Sequence, residues 1–439
     1  MSWKRWVHEV RYEITLKSPL HIGVGENELL INENGQAVIP GSSLAGAWRA
    51  FIEQEQPAET VRLFGKRKKR KEEGMSVSDL YVHDLVSERV VSIEERPAVR
   101  IDGAFGSADD KGKFDRFYVA ANERFSGKVV WTADEEEQNA HLNLMIRVFS
   151  AWHHGFIRLG KYKSTGAGRV EITAIRHRAY DCWNPKDYFA YLSDQRRSAW
   201  LESWGKDASD WLKESPVRKM CRFRLTAELD SPLLIRGNGV SKAGEPDSVS
   251  IRNLAGQYII PGSSWKGVLR HHVEKIANYY GVSEVANRLF GYAAQKKLEG
   301  RAGVIIASDA IIQDARETDY TGIRIDRLTG GIMFQMLKKE RTVRGMVELE
   351  LYVRMDRLSD QTDVLHQAQG LLLLAFRDMA EQGLTLGSGY ASGRGRLKGK
   401  CLTIQEGTDE VVVDFTKDEV RNPEKANIWI SALARGRAG

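Results

Sequence analysis

The residue with the plainest chemical potential is Asp247. It ends the stretch Gly239-Val240-Ser241-Lys242-Ala243-Gly244-Glu245-Pro246-Asp247, a little ahead of Ile260-Pro261-Gly262-Ser263-Ser264. The Pro-Gly-Ser-Ser turn launches a helix, whose first backbone N–H groups lack intrahelical partners and lie at the positive end of the helix dipole. Gly262, Ser263 and Ser264 can hold a phosphate of a nucleic-acid backbone there, with Lys266 and Arg270 adding charge. A carboxylate beside that phosphate can act as general base or orient an attacking hydroxyl. Each part has a plainer use: a serine caps a helix, and a single loop Asp is usually solvated.

The same parts occur twice. Ile39-Pro40-Gly41-Ser42-Ser43-Leu44-Ala45-Gly46-Ala47-Trp48-Arg49 returns 221 residues later as Ile260-Pro261-Gly262-Ser263-Ser264-Trp265-Lys266-Gly267-Val268-Leu269-Arg270. Gly41, Ser42, Ser43 and Arg49 are therefore candidate phosphate contacts as well. Arg62-Leu63-Phe64-Gly65 returns as Arg288-Leu289-Phe290-Gly291, and Arg100-Ile101-Asp102 as Arg324-Ile325-Asp326. The loop Gly160–Arg169, with Lys161, Lys163 and Arg169, returns as Gly387–Arg396, with Arg394 and Arg396. Glycines let a backbone approach phosphates closely, but they also serve a tight helix-to-strand turn. Here the loop follows a helix and precedes a strand, the reverse of a dinucleotide fingerprint. Four landmarks in one order at nearly one offset make the chain two copies of one domain. The copies differ at one place. Ser18 to Gly41 is 23 residues and Ser231 to Gly262 is 31, and the longer loop carries Asp247 where copy one reads Gly25-Glu26-Asn27-Glu28.

The elements that position these residues follow from periodicity. Val10, Tyr12, Ile14 and Leu16 alternate with polar residues, as do Cys221, Phe223, Leu225, Ala227 and Leu229, which predicts a half-buried antiparallel strand in each copy. Trp48, Phe51 and Ile52, and Leu269, Val273 and Ile276, give the motif helices an apolar stripe. Second helices are expected over Leu142–His154 and Asp363–Gly383, each ended by its glycine loop and followed by a closing strand. Strand, helix, strands, helix, strand describes a split βαβ, ferredoxin-like unit. The expected fold class is α+β, with domains over 1–177 and 218–439 and a Trp- and Tyr-rich helical connector over 178–217. The tail after about Thr403 is expected to form a short strand and a helix.

Composition narrows the function classes. The 439 residues carry a net charge of +6, which suits a polyanionic partner without demanding one. No run of 18 apolar residues or signal peptide is evident, and Cys182, Cys221 and Cys401 form no CxxC pair. A soluble cytoplasmic protein with free thiols and no membrane partner is the expectation. The adjacent pairs His153-His154 and His271-His272 point in different directions on a helix, so the histidines read as packed or solvated.

Ser-Pro-Leu, Ile-Pro-Gly-Ser-Ser-x-x-Gly-x-x-Arg, Leu-Phe-Gly, Arg-Ile-Asp-Arg-x-Thr-Gly and the late glycine loop together resemble the RAMP proteins of CRISPR systems. The likeness is to backbone subunits of type III effector complexes, and the two-copy chain is similar to the fused variants of type III-D. The resemblance implies tandem RRM-like domains that hold a guide RNA (crRNA) by its backbone, with target single-stranded RNA and other RAMP subunits as partners. In that family an Asp between the first strand and the IPGSS helix cleaves bound target RNA, and Asp247 matches it at nearly the family spacing. Lys266 or Arg324 then supplies charge, and a divalent ion, Mg or Mn, is the one cofactor the reading allows. Glu26 and Glu28 are the only acidic substitutes in copy one, which favours an inactive first site. Arg324-Ile325-Asp326-Arg327-Leu328-Thr329-Gly330 matches the base of the family's thumb hairpin, so Arg324 and Arg327 join the RNA-binding set.

Two other functions compete with this one. One is a purely structural or end-capping subunit of the same assembly. The other is a stand-alone guide-processing endoribonuclease, for which His21 is the sole histidine candidate.

Overall fold

The computed structural model describes residues 4–23, 28–53, 56–66, 78–101, 108–196, 204–213, 220–237, 245–294 and 299–438. Glu26, the basic run after Lys66 and residues 238–244 of the Asp247 loop lie outside them. The chain forms two compact units: 1–94, 117–163 and 167–217 make the first, and 95–116, 164–166 and 218–439 the second.

The first half of the chain runs β1 (Trp6–Leu16), α1 (Gly41–Ile52), β2 (Leu80–Val82), β3 (Leu85–Ser87), β4 (Ile93–Ile101), β5 (Ala108–Val119), β6 (Arg124–Ala133), α2 (Gln138–His153), β7 (Val170–Asp181) and α3 (Pro185–Arg196). β1 lies between β6 and β7 and is antiparallel to both. β4 and β5 form a separate two-stranded ribbon. The second half runs β8 (Met220–Leu229), β9 (Ser248–Val249), α4 (Gly262–Tyr280), β10 (Ile305–Ala307), β11 (Gln313–Ile325), β12 (Ile332–Arg354), α5 (Thr362–Ala380), β13 (Arg396–Glu406), β14 (Asp409–Asp414) and α6 (Pro423–Ala438). β8 lies between β12 and β13, again antiparallel to both. In each half the first strand slips register against the closing strand, between Glu13 and Ile14 and between Thr226 and Ala227. The slip stands at the same distance ahead of Ser18 and Ser231.

The alternating apolar residues of β1 and β8 face a helix layer. Tyr12 meets Trp48, Phe149 and Trp152 with ring centroids 6.4, 5.2 and 5.7 Å away. Phe223 stacks on Phe376 at 5.6 Å, and Trp265 meets the same ring edge-on at 6.3 Å. Trp48 and Trp265 are fully buried, as are Phe149 and Phe376. Burying such a side chain contributes roughly 1.5–3 kcal/mol, so these repeated positions anchor each helix to its sheet. The tail adds β14 and a further strand, Glu419–Arg421, to the second sheet, and α6 buries Trp429 and Leu433.

One expectation is corrected. β1 is not half-buried: Glu9 and Arg11, on its expected solvent face, are buried too. Residues of the 178–217 segment cover that face. The Arg11 guanidinium lies 4.2 Å from the Trp204 ring centroid, and its Nε donates to Glu9 Oε1 at 2.7 Å. On β8, Arg222 and Arg224 are half-buried and pair with Glu350. His8 and His177 are packed, as expected of the histidines, and they pack on each other. Nδ1 of His8 and Nε2 of His177 lie 3.0 Å apart, and both rings stack with Trp131.

Candidate nucleic-acid interface

The helix starts come first. The residues that cap α1 and α4 are Pro40 and Pro261, and the serines expected to cap them sit inside the first turn. A distant carboxylate takes the first N–H instead: Gly41 N–H donates to Asp84 Oδ1 at 2.7 Å and Gly262 N–H to Asp309 Oδ1 at 2.8 Å. The glycine of the motif answers a steric demand. A Cβ at Gly41 would stand 2.0 Å from the Val82 carbonyl oxygen, and one at Gly262 2.2 Å from that of Ala307. Asp84 and Asp309 are a further repeated landmark that the sequence reading passed over. His83-Asp84-Leu85 against Ser308-Asp309-Ala310 fits the common offset, though Asp is the sole identity.

The charges assigned to these helices are partly engaged. Arg49 reaches the Phe64 carbonyl at 3.5 Å and Glu53 at 3.6 Å, and Arg270 pairs with Glu274 at 2.7 Å. Lys266 is half-buried and donates to the Ser164 carbonyl at 3.4 Å; burial, with Arg270 nearby, lowers its pKa to about 8. Ser42 and Ser43 are exposed, Ser263 and Ser264 half-buried.

The glycine loops are clasps on Ser-Pro-Leu. Gly168 N–H donates to the Pro19 carbonyl and Gly395 N–H to that of Pro232, at 2.9 and 3.0 Å. Arg169 N–H donates to Ser18 Oγ at 2.9 Å and Arg396 N–H to Ser231 Oγ at 2.8 Å. Lys161 N–H meets the His21 carbonyl, and Ser388 N–H that of Leu234. Through the clasp the backbone of Arg169 and Arg396 is fixed while their side chains stay exposed, as those of Lys161 and Lys163 are.

Asp247 is tied to the backbone of β12 partway along the long hairpin β11–β12, one residue before Glu340. β9 runs parallel to β12, with Ser248 opposite Glu340. Asp247 is exposed, and its Oδ2 accepts the Lys339 N–H at 2.7 Å. Glu340, next along β12, is met by three cations: Arg394 Nη1 at 2.5 Å, Arg236 Nη2 at 3.6 Å and Lys338 Nζ in close contact. Burial acts to raise the Glu340 pKa, but the bonds from Lys338 and Arg394 outweigh it and hold the carboxyl below its ordinary value. Arg394 also lies 5.0 Å from the Tyr320 ring centroid. Arg236, Tyr320, Lys338 and Glu340 stand outside the repeated motifs; the charged run Lys338-Lys339-Glu340-Arg341 was the available signal. Glu28, the described acidic residue of the copy-one loop, is exposed.

Arg324 does not belong to this cluster. Tyr320 pairs with Glu340 and Ile325 with Ile332, so Arg324 stands four residues beyond Tyr320, roughly 13 Å at ~3.3 Å per residue. Its motif forms the tip of the hairpin, not the base, because Asp326 folds the turn. Asp326 Oδ1 accepts the N–H groups of Leu328 and Thr329, each at 2.8 Å, and Gly330 takes a φ of 67°. Arg324, Arg327 and Leu328 are exposed there. His21 is fully buried, with Nδ1 against the Phe117 carbonyl at 2.7 Å, which removes it from a solvent-facing role. Among the described residues no group of three His, Cys, Asp or Glu side chains is placed to hold a metal ion. Glu340, the acidic neighbour of Asp247, is already taken by cations, so the donor set does not fit a divalent ion held by protein alone. Among the described residues no helix is long and apolar enough to cross a membrane.

The sequence model of the RAMP superfamily matches residues 13–171 and 226–398, together more than half of the chain. The two matched segments are the two copies, and each contains one helix start and one glycine clasp. No curated protein matches the chain.

Proposed function

Because the chain belongs to the RAMP superfamily, whose members carry CRISPR-associated RNA-binding roles with CRISPR RNA and other Cas subunits, we propose that it is a guide-RNA-binding backbone subunit of a type III effector complex with one target-RNA-cleaving site, at Asp247. The domains are read as RRM-like, over 1–177 and 218–439 with the segment 178–217 between. A first strand held between the strand before the second helix and the closing strand, antiparallel to both, supports that reading in both halves. The observation that carries the cleavage site is the Asp247 carboxylate, tied to the Lys339 N–H one residue from a carboxylate that gathers three cations.

RNA supplies its own nucleophile, the 2′-hydroxyl beside the scissile phosphate. The protein then has to align that hydroxyl, assist its deprotonation and offset charge building on the phosphate. Asp247 is the base in this scheme, and Arg236, Lys338 and Arg394 are the charge. Backbone contacts fall to Ser42, Ser43, Ser263 and Ser264, to Lys161, Lys163, Arg169 and Arg396 on the clasps, and to Arg324 and Arg327 at the hairpin tip. Such contacts hold RNA with little regard for sequence.

In the purified complex, Asp247→Ala should abolish one target cut and leave guide assembly and target binding intact. Glu28→Ala should leave every cut in place. A target with deoxyribose at the scissile nucleotide should resist cleavage there. General acid–base effects are worth roughly 100- to 10,000-fold, so a loss below about tenfold in Asp247→Ala counts against the assignment. A purely structural subunit would show no cut that depends on Asp247.

A further inference from the structure

Glu340 is a carboxylate on which three segments of the second unit converge. Arg394 comes from the glycine clasp, Arg236 from the stretch after Ser-Pro-Leu, and Lys338 from β12 itself. The carboxylate is largely buried, with 12% of its side-chain surface exposed. Three cations so close repel one another unless an anion lies between them, and a charged, hydrogen-bonded acceptor is the strongest tie for a guanidinium. Ser248 stands opposite Glu340 across the β9–β12 pair, and Asp247 hangs from the N–H of the residue before it. The side chain that fixes the cations therefore grows from the strand that fixes Asp247. Tyr320, opposite Glu340 on β11, closes the cluster against the Arg394 guanidinium.

We infer that Glu340 is a positioning residue for the Asp247 site: it holds Arg394, with Arg236 and Lys338, where their charge meets the phosphate that Asp247 serves. The inference rests on the reading of Asp247 as the cleaving residue. Glu340 touches no reacting atom in this scheme. It sets the register between the glycine clasp and the hairpin, so that base and cations move as one body. A supporting shell of this kind decides whether a site is merely present or is held to within a fraction of an ångström. Its low pKa keeps it ionised at neutral pH, as the role requires.

The test is single-turnover cleavage of target RNA by the assembled complex carrying Glu340→Gln, Arg394→Gln or both, with Asp247→Ala in parallel. Gln keeps the volume and loses the charge. Glu340→Gln should slow the Asp247-dependent cut at least tenfold at saturating target, while half-saturation changes less than threefold. The melting temperature falls too, because the cations lose their anion, so the assay runs well below it. Arg394→Gln should slow the same cut, and adding Glu340→Gln to it should cost less than a further twofold, because the carboxylate acts through the guanidinium. Three results overturn the inference. In the first, Glu340→Gln binds target more tightly and cuts as fast or faster, which makes Glu340 a competitor of the phosphate. In the second, the two losses multiply. In the third, target binding weakens as much as the rate falls, which makes the role structural. If Asp247→Ala leaves every cut intact, the reading of the site fails; if that variant loses its cut while Glu340→Gln is unaffected, only the role of Glu340 fails.

Discussion

A carboxylate at the head of each motif helix sets what else can bind there. Asp84 and Asp309 accept the first N–H of α1 and α4, so part of the positive end of each dipole is already answered. A phosphate approaching the same turn meets the serines of that turn, with a negative group behind them. The capping bond is worth about 1 kcal/mol, within a range of 0.5–2. Asp309 also pairs with Arg96 at 2.5 Å. Asp309→Ala should therefore lower the melting temperature by more than about 2–4 °C, the worth of the capping bond alone for a domain of this size. Guide affinity at fixed salt should hold or rise, since a negative charge leaves the neighbourhood of the backbone. Differential scanning fluorimetry and filter binding check the two halves of this prediction. Weaker guide binding with unchanged melting would mean that the aspartate itself orders the phosphate contact.

At the scale of elements, the clasp between glycine loop and Ser-Pro-Leu places the arginines. Gly395 has a φ of 76°, and a Cβ there would stand 1.9 Å from the Leu386 carbonyl oxygen. Gly168 repeats both values against Leu159. The left-handed conformation alone costs an L-residue about 1–2 kcal/mol, and the clash adds to it. Gly395→Ala should thus destabilise the second unit by more than that and slow the Asp247-dependent cut by shifting Arg394. Ser231→Ala, which loses the bond to Arg396 N–H, should cost about 1 kcal/mol and leave the cut. Thermal melts paired with cleavage assays separate the two. These elements also show what was legible beforehand. The repeat, the first strands and the motif helices follow from period and spacing, because the residues that carry them are local in sequence. The acid that meets each helix start lies 43 residues downstream in copy one and 47 in copy two, in a link between short strands with no other identity. The site at Asp247 was legible as one residue. Of its cations only Arg394 was legible, as a candidate RNA contact; Arg236 and Lys338 were not, because a loop, a strand end and a hairpin meet there only through the sheet.

For the whole molecule, the two copies share a frame and have diverged in what they bury. The second keeps the long loop and the cluster around Glu340. The first lays the 178–217 segment over its sheet and stacks His8 and His177 with Trp131 beneath it. The pair shares a hydrogen bond that needs at least one neutral ring. Burial, reinforced for His8 by His177 and for His177 by Lys206, takes their pKa values down to about 3 and about 4. An unfolded histidine titrates near 6.5. Below that pH the unfolded chain takes up protons that the folded chain refuses, so stability is full above about 6.5 and falls as the pH drops toward 4. At pH 5 each histidine can account for about 2 kcal/mol at most, from 1.36 kcal/mol per unit. Carboxylates add their own acid losses nearer their ordinary values, around pH 4. The first unit should therefore melt well below its neutral-pH temperature by pH 5, before carboxylates titrate, with tryptophan fluorescence reporting on Trp131. Replacing both rings, His8→Phe with His177→Phe, should make the stability profile between pH 7.5 and 5 less steep, with the remaining slope from His83, His141 and His153, whose pKa values burial also lowers. An unchanged slope in that double variant would place the acid sensitivity elsewhere in the chain.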